Sequence, residues 1–340
     1  MLDWYYLQFL GKFKIAEQEQ GYTLYHRSCE DYYKPKAGEA KKPPLLIIYS
    51  FISRSYGLFL DEEHSMIPGF LKKGMDVYIL DWGDPVTIFS GKNGWKIEDF
   101  RQTVTRIIDL VAAKNKVSEI NLFSICAGTI LVFDYLINTP NPPVKKVLLN
   151  DAIIFGNRDL ETCKTAELIG ETAGALEPFV RLNPLSSYLW DNLELNMPFV
   201  NWNFIIPSTS PYMISWYHEK ILKEDGWLQY MKIMFWGLDD RAFPWSIWYQ
   251  IVSSAFGMDE GMVRTNFNKI DKKVRFFNLV GDDDFIVKPS ASLVVHDEDE
   301  DILAYFDRQQ IVDGGHFMYA RKCNKIVEEM KEQAAEWLSK

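Results

Sequence analysis

The chain has 340 residues, enough for one large domain or for a core domain carrying a sizeable insertion. Hydrophobic residues make up 47% and charged residues 25%, the balance of an ordinary water-soluble globular protein. The 37 basic and 47 acidic side chains leave a net charge of −10, and no basic stripe is present to neutralise phosphates or anionic lipid, so a nucleic-acid role is excluded.

No run approaches the ~18 consecutive apolar residues of a membrane-spanning helix. The start, Met1-Leu2-Asp3-Trp4-Tyr5-Tyr6, lacks the basic and apolar regions of a signal peptide. Cys29, Cys126, Cys163 and Cys323 show no C-x-x-C or other paired spacing, which predicts reduced thiols in a cytosol. His26, His64, His218, His296 and His316 are scattered without an i, i+4 pair, so no metal site is expected.

In chain order, residues 44–50 form a short apolar run after a Lys-Lys-Pro-Pro turn and read as a buried strand. Residues 63–73 read as a helix stopped at Gly74. A strand over 76–80 ends in Asp81-Trp82-Gly83. Residues 98–114 place Phe100, Val104, Ile107, Ile108 and Val111 at helical spacing. A strand over 119–123 runs into Ser124-Ile125-Cys126-Ala127-Gly128, a helix follows to Ile137, and 145–150 is the next strand. Such alternation predicts parallel strand–helix–strand units and a doubly wound, mostly parallel sheet.

The alternation lapses from about 155 to 267, where seven of the eleven tryptophans fall between 190 and 248. It resumes with a strand over 274–280, another near 309–312, and a closing amphipathic helix over 319–338. The expected organisation is an N-terminal segment 1–39, an α/β core over 40–154 and 268–340, and an aromatic-rich helical cap inserted at 155–267. The acidic run within 296–301 reads as a solvated loop.

Cys126 carries the most specific signal. A nucleophile elbow is a sharp strand-to-helix turn with small residues two positions either side of the nucleophile, here Ser124 and Gly128. That turn lifts the sulfur to a helix N-terminus, where the dipole favours a thiolate and the Ala127 amide faces a developing oxyanion. The competing reading is a buried core cysteine; the strand-before, helix-after setting favours the nucleophile. This arrangement is that of the α/β-hydrolase fold, where the acid and then the histidine follow the nucleophile in sequence. His316 follows the last strand after two glycines, and Asp282, Asp283 and Asp284 all follow the strand 274–280. The histidine would take the thiol proton while a carboxylate fixes its tautomer. A second oxyanion amide is expected from Phe51 or Ile52, with Arg54 and Tyr56 anchoring that loop.

These residues resemble a polyhydroxyalkanoate synthase, specifically the short catalytic subunit of the two-component (class III/IV) type. The resemblance rests on residues 44–49 with Arg54-Ser55-Tyr56, on Gly74 to Tyr78 leading to Asp81-Trp82-Gly83, and on the cysteine elbow. It continues through Trp236 to Asp239 with Phe243-Pro244, Asp284 to Val287, Gly315-His316 and Glu336-Trp337-Leu338. It singles out Asp284 among the three aspartates. It implies that a 3-hydroxyacyl-CoA thioester acylates Cys126 and that a hydroxyl of another unit then extends a polyester. CoA would enter as substrate, with no cofactor. A second synthase subunit, a homo- or hetero-oligomer, and a cytosolic or granule-surface setting are implied as well. Ser124 and Thr129 depart from the family's glycines at the outer elbow positions, and Phe285 from a frequent histidine. Two other readings stand beside it: a cysteine-type thioesterase or esterase on the same fold, and a non-catalytic granule-associated homologue.

Overall fold

The computed structural model describes residues 2–19, 21–36, 41–51, 54–82, 97–158, 194–195, 222–223, 226–238, 243–244, 262–284, 287–295, 299–316, 318–321 and 325–340. Eight strands form one sheet: β1 (Lys14–Glu19), β2 (Tyr22–Arg27), β3 (Leu45–Ile48), β4 (Val77–Trp82), β5 (Ile120–Ile125), β6 (Val144–Asn150), β7 (Arg275–Gly281) and β8 (Phe306–Val312). Their order is β1-β2-β4-β3-β5-β6-β7-β8. The pairs from β4 to β8 are all parallel, while β1 and β2 add an antiparallel hairpin at one edge.

The expected strands are all present, with shifted ends. The last begins at Phe306, three residues before the stretch read from sequence, because Phe306 is buried while Asp307, Arg308, Gln309 and Gln310 after it are polar and exposed or half-buried. The segment 1–39, set apart in sequence, contributes β1 and β2 to the sheet, which therefore extends beyond residue 40 towards the N-terminus. β1 consists of exposed and half-buried residues and forms no apolar run, whereas β2 is mostly buried.

Strands buried on both faces need cover on both. Alternation along β3 splits the core accordingly: Leu46 and Ile48 join one cluster with Val104, Ile107 and Ile130, whereas Leu45 and Ile47 join another with Phe70, Met330 and Leu338. The first cluster is roofed by α3 (Ile97–Asn115) and α4 (Gly128–Asn138). The second is covered by α1 (Leu2–Lys12), α2 (Ile67–Lys72) and α6 (Lys325–Ser339). Two helices are shorter than their sequence signals. α2 begins at Ile67, with Pro68 in its first turn, because Asp61 and Ser65 spend their side-chain oxygens on the preceding turn. α6 begins at Lys325, after a 3₁₀ turn at Met318–Ala320.

Between β6 and β7 the described helix of any length is α5 (Gly226–Leu238). Most of the remainder of the cap read at 155–267, with most of its tryptophans, lies outside the described residues, as do Cys163 and Cys323. The acidic run near 299 is corrected in part. Asp299 is buried rather than solvated, held by Arg158 at 2.9 Å through both oxygens and by the Val295 amide at 3.0 Å.

Candidate active site

Register sets the site. Ile125 pairs with Asn150, Asn150 with Leu279, and Gly281 with Val312, so β5 to β8 all end along one carboxyl edge. The residues just past those ends (Cys126, Asp151, Asp284 and His316) are therefore neighbours, in the position where open α/β sheets hold ligands.

Cys126 has a φ of 53°, a left-handed conformation that strains a residue bearing a Cβ. The turn is held by the Cys126 amide donating to the Asn150 carbonyl at 3.1 Å, and α4 starts two residues later. Gly128 is required: a Cβ there would lie 2.6 Å from the Ile48 carbonyl oxygen, backbone that cannot rotate away. The two elbow departures are hydrogen-bonded. Ser124 donates to the Ile48 carbonyl at 2.8 Å. Thr129 donates to the Cys126 carbonyl at 2.6 Å and accepts from the Ile153 amide at 3.2 Å. Both are fully buried, and both tie the elbow to its neighbours instead of loosening it.

His316 donates from Nδ1 to Asp284 Oδ2 at 2.7 Å, and Asp284 Oδ1 accepts the Val287 amide at 2.9 Å. Both side chains are buried. With Nδ1 committed, Nε2 is the nitrogen that meets Cys126, whose thiol hydrogen-bonds to the ring. Burial alone would push the imidazole towards neutrality. Asp284 and the Cys126 sulfur outweigh it and hold His316 protonated well above its ordinary range. Among the three aspartates the structure thus brings Asp284 to the histidine, while Asp282 and Asp283 turn outward near Asp313. Gly281 and Gly315 explain how the two loops approach so closely. A Cβ on Gly281 would sit 2.9 Å from Gly315 backbone atoms, and Gly315 itself has a φ of 61°.

Ala127 lies at the N-cap of α4, where amides lack intrahelical acceptors. Phe51 follows β3 with its ring in the core against Phe100, and Ile52 lies outside the described residues, as does Phe285. The loop after β3 is clamped by the Asp-Trp pair: Asp81 accepts from Ser55 Oγ at 2.6 Å, and Trp82 Nε1 donates to the Tyr49 carbonyl at 3.2 Å. Tyr56 is buried beside it. Cys29 stands apart, its thiol pushed up to about 11 by burial and by Asp76, the environment of an inert thiol.

Sequence reasoning missed Asp151 and the pair behind the histidine loop. Asp151 is fully buried, with Oδ2 3.8 Å from His316 Nδ1. The polar Asn150-Asp151 pair at the end of the strand 145–150 was the available signal. Behind the loop, Arg321 donates to the Gly314 carbonyl at 3.0 Å, and Lys331 donates to the Arg321 carbonyl. Asp151, Asp284 and His316 offer atoms within 4.8 Å of one another, a spacing a metal ion could use, but Nδ1 is already spent on Asp284.

This strand order and carboxyl-edge site belong to the α/β-hydrolase fold. The carboxyl esterase of Bacillus coagulans has it at a TM-score of 0.59 and 14% identity, over 96% of each chain. A hydrolase from Pseudomonas aeruginosa has it at 0.54 and 14%, over 96% of this chain and 98% of that one. In sequence, a stretch of the chain is similar to poly(3-hydroxyalkanoate) polymerase subunits PhaC. The similarity to that of Allochromatium vinosum is 35% identity over 98 residues, 27% of this chain and 25% of the relative. To that of Thiocystis violacea it is 31% over 103 residues, 28% and 27%. The aligned stretch thus spans about a quarter of these relatives. No family model matches the chain.

Proposed function

We propose that this chain is an acyltransferase of polyhydroxyalkanoate-synthase type, with Cys126 as nucleophile, His316 as base and Asp284 as orienting acid. The observation that carries the reading is a strained cysteine at a strand-to-helix elbow whose thiol meets a buried His316–Asp284 pair. His316 Nε2 takes the thiol proton, and the thiolate attacks the carbonyl of a 3-hydroxyacyl-CoA thioester. The Ala127 amide and an amide of Phe51 or Ile52 stabilise the oxyanion. CoA leaves carrying the proton from His316. A hydroxyl of another unit then gives its proton to His316 and attacks the acyl group on Cys126, which lengthens the ester and returns the thiolate.

The sequence likeness to PhaC subunits supports this choice over plain hydrolysis, since the elbow alone would serve either. The hydrogen bonds made by Ser124 and Thr129 weaken the motive for a non-catalytic role, because neither substitution leaves the turn unsupported. A second subunit, a polymer-granule surface and a cytosolic setting belong to the same proposal.

The test incubates the purified chain with 3-hydroxybutyryl-CoA, with and without a second synthase subunit, and follows CoA release and product size. Polymer formation that disappears in Cys126→Ala is the expected result. Free monomer acid would make the chain a thioesterase, and the absence of acyl-Cys126 under both conditions would sink the reading for this substrate.

A further inference from the structure

The carboxyl edge carries one more buried acid than a nucleophile–base–acid site needs. Asp151 follows β6 immediately, has a φ of 50° and is fully buried. Three bonds hold it there. Its amide donates to the Leu279 carbonyl at 2.9 Å, its Oδ1 accepts the Gly281 amide at 2.8 Å, and its Oδ2 accepts Asn150 Nδ2 at 2.6 Å. Two of those bonds reach β7, the strand whose end carries Asp284. A strained backbone, a buried carboxyl and dedicated donors are costly together, and they persist where surrounding structure enforces them. Among the described residues, the one cation in ion-pairing range of Asp151 is His316, at 3.8 Å from the Nδ1 that Asp284 holds at 2.7 Å.

We propose that Asp151 is the standby acid of this site, a positioning residue that takes over the His316 Nδ1–H when Asp284 no longer accepts it. The proposal deepens the reading of Cys126 as nucleophile and rests on it. The groups facing Asp151 are Asp284 beyond β7, His316 beyond β8 and Cys126 beyond β5. Burial first, then the like charge of Asp284 and last the Cys126 sulfur raise its pKa well above the ordinary carboxyl range, against the opposing pull of His316 and the Gly281 amide. With a neutral residue in place of Asp284, one of the three raising causes vanishes, Asp151 ionises more readily, and its carboxylate takes up the Nδ1–H. The thiol proton still goes to Nε2, so the chemistry at Cys126 is unchanged.

The test measures the rate of Cys126 alkylation by iodoacetamide against pH in the full chain, by mass spectrometry, with circular dichroism to confirm folding. Wild type should alkylate at Cys126 faster near neutral pH than at Cys29, whose thiol is pushed up to about 11 by burial. Asp284→Asn should retain part of this activation, with a new rise in rate at a pH below the thiol's own ionisation as Asp151 ionises. Asp284→Asn combined with Asp151→Asn should lose at least a further tenfold near neutral pH, about one pK unit of imidazole basicity. Asp151→Ser, which keeps an acceptor for Gly281, serves as the second variant. Superimposable profiles for the single and double variants would overturn the proposal, and so would a D284N profile with no ionisation below that of the thiol. A wild-type profile of an ordinary thiol would instead overturn the nucleophile reading, and this inference with it.

Discussion

The two flanks of the sheet use polar residues in opposite ways. In the parallel half, polar side chains are buried and tie the strands to neighbouring elements. Ser124 bonds to β3, Asn121 Nδ2 donates to the Leu338 carbonyl at 2.8 Å, and Asn278 Nδ2 donates to Ser292 at 2.8 Å. In the antiparallel flank, β1 is largely exposed and its acids meet Arg106 of α3 in solvent. The first arrangement makes each polar group costly to disturb, since a lost partner leaves a desolvated atom behind. The second makes them cheap. The chemistry sits where disturbance is costly, because a site held within fractions of an ångström needs surroundings that cannot relax.

The sharpest way to break that contrast is Gly281→Ala. The added Cβ would meet Gly315 backbone 2.9 Å away, so the histidine loop or the acid turn must move. A displacement of this kind should cost roughly 10²-fold in Cys126 acylation or alkylation, with about 1–3 kcal/mol of lost stability from overpacking. Unchanged reactivity in a folded variant would show that the site tolerates slack. A smaller effect, on stability alone, is expected for Arg158→Ala. It leaves buried Asp299 with the Val295 amide and with Arg264 at 3.6 Å. Arg158 is 26% exposed, so the loss should be about 2 kcal/mol rather than the full cost of an orphaned buried charge. A urea midpoint measures it, with Cys126 reactivity retained; a midpoint equal to wild type would mean the pair adds nothing.

How much of this could be read in the sequence follows the same contrast. The parallel strands were legible because strands buried on both faces appear as apolar runs, and the elbow because its turn demands small residues around Cys126. His316 was legible through its two glycines. β1 was not, since exposed or half-buried residues such as Gln18 and Glu17 carry no apolar run; β2 was not, since Thr23 and His26 interrupt its buried Tyr22, Leu24 and Tyr25. Asp151 was missed for a different reason. Its significance comes from register across β5 to β8, and register between strands far apart in sequence leaves no local mark. Asp299 was misread because its partner Arg158 lies 141 residues away. An acidic run seen locally reads as solvated.

The smallest effect should come from Arg106→Gln. Arg106 pairs with Glu17 and Glu19 and lies over the Tyr22 ring at 5.7 Å, yet its side chain is 47% exposed. Exposed pairs gain little because water and salt screen both charges and two long side chains must be held still. The melting temperature should therefore fall slightly at low ionic strength, and the difference from wild type should disappear in high salt. Iodoacetamide reactivity of Cys126 should stay at the wild-type rate throughout. β2 is nonetheless hydrogen-bonded to β4 along its length, so the flank is mechanically part of the sheet that bears the site. If Arg106→Gln slowed Cys126 or destabilised the chain more than Arg158→Ala does, the strain would be passing from the hairpin through β4 and β3 to the elbow. Separation of the flanks into a costly half and a cheap one would then fail, and the hairpin would count among the elements that position the nucleophile.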